Sequence, residues 1–209
     1  MTLKYGVKKF VQVSTDEVYG SISEGSWDEN SPLLPNSPYA ASKASADLIV
    51  RAFNQTFGLN TTITRCSNNY GTNQYPEKFI PVVIQSLLEG KQIPIYGDGL
   101  NRRDWLSVTD HCRAIELAME KGKSGEIYNV GGGTELTNLE LAKKIVSLMG
   151  GTEDAITFVD DRKGHDQRYA VNYSKISKTL GYGPSHKIDS DLPGIIDWYS
   201  NNRNWWVQG

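Results

Sequence analysis

Two short runs place acid–base side chains close together in the sequence. They are Ser14-Thr15-Asp16-Glu17-Val18-Tyr19-Gly20 and Tyr39-Ala40-Ala41-Ser42-Lys43. Together they supply a hydroxyl, two carboxyl groups, a phenol and an ammonium, the groups that move protons in general acid–base catalysis. On a helix that begins near Pro38, Tyr39 and Lys43 share one face because they are four residues apart. An ammonium beside a phenol favours the phenolate, so we expect a lowered pKa for Tyr39.

The surrounding elements predict how these side chains are positioned. Residues 7–13 have the β-branched and aromatic content of a parallel strand, so Thr15, Asp16 and Glu17 would emerge at its carboxyl end. Open α/β sheets place their ligand crevices at that edge. Taken alone, a Thr-Asp-Glu run after a strand is most often a turn or a helix cap, and Tyr and Lys at helical spacing occur in many helices.

Helices and short strands are predicted to alternate along the rest of the chain. The first helix would span residues 38–57 and pack through Ala44, Leu48 and Phe53, with Gly58 ending it. Further strands are predicted at residues 61–66, 93–96, 126–130 and 156–159, and further helices at 79–90, 109–121, 138–149, from 173 onward, and 191–199.

The order of these segments resembles the nucleotide-sugar 4,6-dehydratases of the extended short-chain dehydrogenase/reductase family. The adjacent Asp and Glu of the first run separate these enzymes from the epimerases and decarboxylases of that family, which usually lack the pair. Further matching segments are residues 65–71, 76–81, 93–97, 102–105, 128–132 and 161–166.

The resemblance implies an α/β fold that joins the carboxyl-terminal part of an NAD(P)-binding, Rossmann-like parallel sheet to a smaller α/β substrate-binding lobe. Residues 1–75 would hold the remainder of the sheet domain with the catalytic residues. Residues 76–209 would form mainly the nucleotide-sugar-binding lobe, interleaved with the sheet domain. Family members begin with a glycine-rich turn that holds the NAD pyrophosphate. Residues 1–7 cannot form that unit and Gly131-Gly132-Gly133 lacks its spacing, so we expect activity only with a missing amino-terminal half.

The resemblance also implies roles for the acid–base residues. In the family reaction, NAD oxidises the sugar at C4, water is eliminated across C5 and C6, and the hydride returns at C6. Tyr39, assisted by Lys43 and Thr15, would move the C4 hydroxyl proton, and Tyr39 and Lys43 would also contact the cofactor NAD. Asp16 would protonate the leaving C6 hydroxyl and Glu17 would remove the C5 proton. Like charges side by side push one carboxyl pKa upward, which suits this division.

The implied substrate is dTDP-glucose or a related nucleotide sugar, whose two phosphates require cations and hydrogen-bond donors. Arg103 is one candidate for a phosphate contact, and the alternative for its side chain is an ion pair within its own segment, with Asp104. The candidates are Asn68, Lys78, Arg103, Asn138 and Arg162 for the phosphates and ribose, Pro94 and Tyr96 for the base, and His165 close to the nucleotide.

Composition excludes several other partners. The 209 residues carry a formal net charge of −2, and Lys and Arg are scattered, so neither nucleic acid nor a membrane surface is an expected partner. Cys66 and Cys112 lack the spacing of a metal site or a disulfide framework, and we expect two buried free thiols. No apolar run approaches transmembrane length, which favours a cytoplasmic protein. The family resemblance adds an expected homodimer.

Two alternative functions remain open. The first is a nucleotide-sugar epimerase or decarboxylase, against which the Asp16–Glu17 pair argues. The second is a non-catalytic module that binds nucleotide sugars. Such a module would bind dTDP-glucose but not NAD, so titrations with the two compounds would identify it.

Overall fold

The computed structural model describes residues 2–207, in which strands and helices alternate as predicted for an α/β fold. The strands are β1 (Phe10–Thr15), β2 (Thr61–Cys66), β3 (Asn68–Tyr70), β4 (Ile93–Tyr96), β5 (Arg102–Ser107), β6 (Glu126–Val130), β7 (Glu135–Thr137) and β8 (Ile156–Val159). The helices are α1 (Pro38–Phe57), α2 (Phe79–Leu88), α3 (Val108–Glu120), α4 (Asn138–Leu148), α5 (Ser174–Leu180), α6 (Ile188–Asn201) and α7 (Asn204–Val207).

The strands form three small sheets. β1, β2 and β6 pair in parallel in that order, with Thr15 opposite Cys66 and Cys66 opposite Val130. In the second sheet β5 runs parallel to β3 and antiparallel to β7, and in the third β4 runs parallel to β8. Because β6 pairs with β2, the chain returns to the first sheet after leaving it. The predicted division at residues 75 and 76 falls between β3 and α2 and stays a prediction.

Helix α1 has the predicted bounds because its two ends carry strong signals. The Ser37 hydroxyl accepts a hydrogen bond from a first-turn backbone N–H, and Gly58 adopts the left-handed conformation that ends the helix. Its buried face includes Ala44 as predicted, but Leu48 and Phe53 are 56% and 40% exposed. The expectation that these two side chains pack was wrong, because they lie beside the stripe that faces the sheet.

Several strands differ from the sequence prediction. β1 begins three residues later than predicted and extends to Thr15, so that Thr15 is the last residue of the strand. β3, β5 and β7 were not predicted. Their sequences, Asn-Asn-Tyr, Arg-Arg-Asp-Trp-Leu-Ser and Glu-Leu-Thr, are too polar to indicate strands. Pairing between distant segments forms them, and that pairing cannot be read from local composition.

The glycine run after β6 forms a close backbone crossing. The Asp104 carboxylate on β5 accepts hydrogen bonds from the N–H groups of Gly132 at 2.7 Å and Thr134 at 2.8 Å. A Cβ at Gly132 would overlap the carbonyl oxygen of Trp105. The run therefore lets the loop between β6 and β7 approach β5 closely, and it leads into β7 and then α4.

A large apolar core is built mainly from α2, α4 and α6. In the part of the chain that the structure describes, no helix has the length and apolar composition needed to cross a bilayer. Both cysteines are free thiols: Cys66 is partly buried and Cys112 is exposed on α3. The expected burial was therefore wrong for Cys112.

Candidate active site

The first acid–base run forms a short 3-10 helix, Asp16–Tyr19, directly after β1. The Thr15 hydroxyl caps this turn by accepting a hydrogen bond from the Glu17 N–H at 3.3 Å. Parallel pairing aligns the ends of β1 and β2, so this turn and Asn68 at the start of β3 emerge at the same sheet edge. The polar segments meet where parallel strands end, as the sequence predicts.

The two adjacent carboxyl groups lie in different surroundings. Asp16 is 2% exposed, and burial raises its pKa well above the ordinary range, with Glu17 and Asp104 raising it further. One Asp16 oxygen accepts from the Thr15 hydroxyl at 3.3 Å, and the other, Oδ2, has no hydrogen-bond partner among residues 2–207. Burial also raises the pKa of Glu17, while Arg103 opposes that rise. Desolvation is thus the main cause of both shifts, ahead of the repulsion predicted from sequence.

The second run places its two functional groups on one face of α1, but the expected effect of Lys43 on Tyr39 is absent. The Lys43 ammonium donates to the carbonyl of Val13 at 2.8 Å. Burial raises the pKa of the Tyr39 phenol, and the carboxylates of Glu17 and Asp16 add to the rise. The predicted lowering of this pKa was therefore wrong for the protein without ligands.

A cleft of about 650 Å³ collects most of the predicted site residues. It opens beside the 3-10 turn and the start of α1, and its other walls come from β3, β5 and the segment between β8 and α5. The predicted residues that line it are Glu17, Tyr39, Asn68, Lys78, Arg103, Arg162 and His165.

Four lysine and arginine side chains line this cleft, namely Lys163 and the three predicted ones, Lys78, Arg103 and Arg162. Arg103 is 6% exposed and donates to backbone carbonyls, so the predicted alternative, an ion pair with Asp104, is not formed. Arg162 lies over the ring of Tyr96, with 5.1 Å from its guanidinium carbon to the ring centroid. The exposed Lys78 ammonium lies 3.1 Å from its neighbour Glu77. These positive charges suit an anionic ligand such as a diphosphate.

His165 lines the cleft with one ring nitrogen paired. Its Nδ1 lies 2.6 Å from the Asp161 carboxylate, and this contact lowers the pKa of Asp161. Nε2 is buried without a hydrogen-bond partner in the described part of the chain. Burial lowers the pKa of His165 despite the nearby carboxylate. Its free nitrogen can therefore form a hydrogen bond with a polar ligand group.

Six predicted residues do not line the cleft, and Tyr96 of β4 is one of them. Thr15 and Asp16 are buried at the end of β1 and the start of the 3-10 turn, and the Lys43 ammonium donates to the Val13 carbonyl of β1. Pro94 lies two residues before Tyr96 on β4. Asn138 is the first residue of α4, where its N–H donates to the Asn101 carbonyl at 3.1 Å. The roles of all thirteen residues in catalysis or binding stay predictions.

Sequence reasoning missed several residues of the cleft wall. Ser37, Phe79, Asp166 and Tyr169 also line it. Asp166 lay in a segment that carried the family resemblance, but it received no role. Tyr169 gave no signal at all, because its place in the wall depends on folding the segment after β8 against β5.

A buried polar network supports the wall from behind. The Arg65 guanidinium donates to the Asp47 carboxylate at 2.9 Å and to the Tyr19 hydroxyl at 2.8 Å. The Tyr19 hydroxyl in turn donates to Asn129 on β6 at 2.8 Å. Because Tyr19 belongs to the 3-10 turn and Asp47 to α1, this network ties the turn to that helix.

Comparison with known proteins gives consistent matches. Residues 2–192 match the family model described as GDP-mannose 4,6 dehydratase. A curated dTDP-glucose 4,6-dehydratase from Actinoplanes is 52% identical over 205 residues, which is 98% of this chain and 64% of the relative. The chain thus spans about three-fifths of the length of the curated relatives it matches.

Solved structures of similar enzymes match this chain over nearly its whole length. A dTDP-glucose 4,6-dehydratase from Streptomyces venezuelae, crystallised with NAD bound, superposes with a TM-score of 0.98 at 51% identity, covering 99% of this chain and 64% of that one. A UDP-glucose 4-epimerase from Thermotoga maritima superposes with a TM-score of 0.90 at 30% identity, covering 97% of this chain and 66% of that one. The predicted Rossmann-like α/β fold and the family resemblance are confirmed. The chain belongs to the GDP-mannose 4,6 dehydratase family.

Proposed function

We propose that this chain carries the catalytic and nucleotide-sugar-binding part of an NAD-dependent 4,6-dehydratase that converts dTDP-glucose to its 4-keto-6-deoxy product. The observation that carries the proposal is the Asp16–Glu17 pair. Glu17 lines the cleft together with Tyr39, and Asp16 is buried next to Glu17. Burial raises the pKa of the Asp16 carboxyl and so favours its acid form, while the neighbouring Glu17 carboxyl lines the cleft, where it can act as base.

We assign one group to each proton transfer. Tyr39 would take the proton of the C4 hydroxyl and later return it. Once C4 is a ketone, the C5 hydrogen becomes acidic and Glu17 would remove it. Asp16 would give its proton to the C6 hydroxyl, which leaves as water. Oδ2 of Asp16 is buried and has no hydrogen-bond partner among residues 2–207, so its hydrogen-bonding capacity is unused in the protein without ligands.

NAD would supply the hydride acceptor and donor for this sequence. Its reactive end fits the residues at the carboxyl end of β1. The buried Ser14 hydroxyl there lacks a hydrogen-bond partner within the described residues, and Lys43 holds its ammonium against the same strand end. Tyr39 and Lys43 are the proposed contacts to this part of the cofactor.

The diphosphate would lie against the cations of the cleft. Arg103 and Arg162 would hold the phosphates, with Asn68, Lys78 and Asn138 as further polar contacts. A base framed by Tyr96 and Pro94 would share the Tyr96 ring with Arg162, which already lies over it. Burial and the orphaned Nε2 support a nucleotide contact for His165.

Mass spectrometry of the product tests the proposal. With dTDP-glucose and NAD, a dehydratase yields a product lighter by one water. An epimerase leaves the mass unchanged, and a binding module yields no product. Because the chain spans about three-fifths of its relatives' length, the assay is run with and without the remaining amino-terminal portion of such a relative added.

Calorimetry separates binding from chemistry. We expect dTDP to bind the chain and its Asp16→Asn/Glu17→Gln variant with similar affinity, while the variant forms no product. Binding of dTDP without any product under either assay condition would favour the non-catalytic module. A mass-neutral product would favour the epimerase, a function supported by the TM-score of 0.90 with such an enzyme.

A homodimer and a cytoplasmic location are further parts of the proposal. Exposed apolar side chains on α1, namely Leu48, Ile49, Phe53 and Phe57, are 40–58% exposed and support self-association. Light scattering at several concentrations tests the dimer. Fractionation of cells that express the protein tests its location.

A further inference from the structure

The orientation of Arg103 depends on a neighbouring segment of the chain. Its guanidinium donates to the carbonyl of Asp166 at 2.8 Å, to that of Gln167 at 3.3 Å and to that of Arg102 at 2.7 Å. It also lies over the ring of Tyr169, 4.6 Å from the centroid. Two of these carbonyls and the ring belong to residues 166–169, so whatever holds that segment also orients Arg103.

The Asp166 side chain holds this segment. One carboxylate oxygen accepts from the Tyr169 hydroxyl at 2.6 Å, and the other accepts from the Asn36 amide at 2.6 Å. Asp166 is 8% exposed, and within residues 2–207 it forms no ion pair with a lysine or arginine. Both bonds are short and involve a carboxylate, which places them among the stronger hydrogen bonds.

The second of these bonds reaches the catalytic helix. Asn36 directly precedes Ser37, the cap of α1, and lies three residues before Tyr39. Asn36 and Asp166 are 130 residues apart in the sequence. One carboxylate therefore joins the segment that carries the phenol to the segment that orients the guanidinium.

We propose that Asp166 is a positioning residue that sets the placement of Tyr39 relative to Arg103. Its bond to Asn36 acts on the alignment of the phenol and hence on turnover. Its bond to Tyr169 acts on the orientation of Arg103 and hence on nucleotide affinity. The inference rests on the proposed function, in which a phosphate bound at Arg103 holds the sugar near Tyr39. A displacement of about 1 Å at a reacting group can lower a rate by about 10²-fold.

Three variants separate the two bonds. Asn36→Ala removes the bond toward Tyr39, Tyr169→Phe removes the other bond but keeps the ring under Arg103, and Asp166→Ala removes both. In the assay with dTDP-glucose, Asn36→Ala should lower kcat about tenfold and leave the Kd of dTDP within about twofold. Tyr169→Phe should weaken dTDP binding about tenfold and leave kcat within about threefold, because a hydrogen bond to a charged group is lost in each case.

Two controls accompany these measurements. Asn30→Ala, on the same surface loop as Asn36, should change neither constant. Asp166→Asn, which keeps an acceptor oxygen, should recover at least part of what Asp166→Ala loses. A loss of dTDP affinity and of kcat in equal proportion in all variants would mean a merely structural role and overturn the proposal, as would unchanged constants.

A readout without ligand keeps the inference separate from the proposed function. Nuclear magnetic resonance of ¹³C-labelled tyrosine rings and ¹⁵N-labelled arginine side chains follows Tyr39 and Arg103, whose signals are assigned from Tyr39→Phe and Arg103→Lys. Asp166→Ala should shift both signals, Asn36→Ala the Tyr39 signal and Tyr169→Phe the Arg103 signal. If Asp166→Ala leaves either signal in place, the proposal is wrong, even when the parent chain shows turnover.

Discussion

The ammonium of Lys43 is bonded to the carbonyl of Val13 at 2.8 Å, one helical turn from the phenol of Tyr39. The bond ties α1 to the end of β1, where the carboxyl groups of Asp16 and Glu17 emerge. It also explains why the side chain of Lys43 does not lower the pKa of Tyr39, which burial raises. In the protein without ligands, the phenol is therefore held in its protonated form.

Replacing the Tyr39 phenol should remove the proposed acid–base group for the C4 hydroxyl. We expect Tyr39→Phe to lower turnover of dTDP-glucose by at least about 10²-fold, since a positioned general base contributes that much or more. Tyr75→Phe, which changes an exposed tyrosine outside the cleft, is the matched control. Turnover of Tyr39→Phe within a few-fold of the parent would remove Tyr39 from the mechanism.

The two carboxyl groups should act after the first oxidation. Asp16→Asn and Glu17→Gln should slow elimination more than hydride transfer, so reduced cofactor should accumulate in a single turnover followed by absorbance. Glu24→Gln, at an exposed position on the following loop, should behave as the parent. If both variants instead prevent formation of NADH, the division of roles between Asp16 and Glu17 is incorrect.

Asp16 should also make stability depend on pH. Burial raises its folded-state pKa above the unfolded value of 3.8, so the folded chain binds the proton more tightly. Its favourable contribution is complete below about pH 4 and is lost as pH rises through the folded pKa. We therefore expect Asp16→Asn to unfold at a higher temperature than the parent at pH 7, and the difference to vanish near pH 4. An equal difference at both pH values would contradict this.

The buried ion pair behind the cleft should be sensitive to loss of one partner. Asp47→Asn leaves the Arg65 guanidinium buried without its carboxylate, 2.9 Å away in the parent. We expect the free energy of unfolding to fall by about 3–5 kcal/mol in urea titrations. The exposed pair of Lys91 and Glu89 provides the control, since Lys91→Ala should cost at most about 1 kcal/mol. Similar losses in the two variants would argue against this network as a support of the fold.

The backbone crossing at Gly132 should not accept a side chain. Gly132→Ala would place its methyl group against the carbonyl of Trp105, so we expect a folded yield far below that of the parent. Gly183→Ala is the matched control, because a Cβ there meets no atom within 4 Å. Circular dichroism and thermal melting of both purified variants measure the effect. Normal melting of Gly132→Ala would show that this loop and β5 can move apart without loss of stability.

Local signals in the sequence determined the elements that carry the proposed chemistry. The cap at Ser37 and the glycine at position 58 bound α1, and residue spacing placed Tyr39 and Lys43 on one face. Alternation of helices and apolar strands indicated the parallel α/β class. Thr15 ends β1 and Asp16 and Glu17 follow it, and residues at this end of a parallel strand reach the sheet edge in folds of this class. These features depend on neighbours within a few residues, so the sequence alone was sufficient.

Tertiary structure alone decided the electrostatics and the wall of the cleft. Burial, not the neighbouring charges, dominates the pKa shifts of Asp16, Glu17 and Tyr39, and burial depends on segments far away in the chain. The strand β5, which presents Arg103, forms by pairing with β3 and β7. Asp166 meets Asn36 across 130 residues of sequence. Such contacts follow from how the segments pack, and no local pattern of residue types encodes that packing.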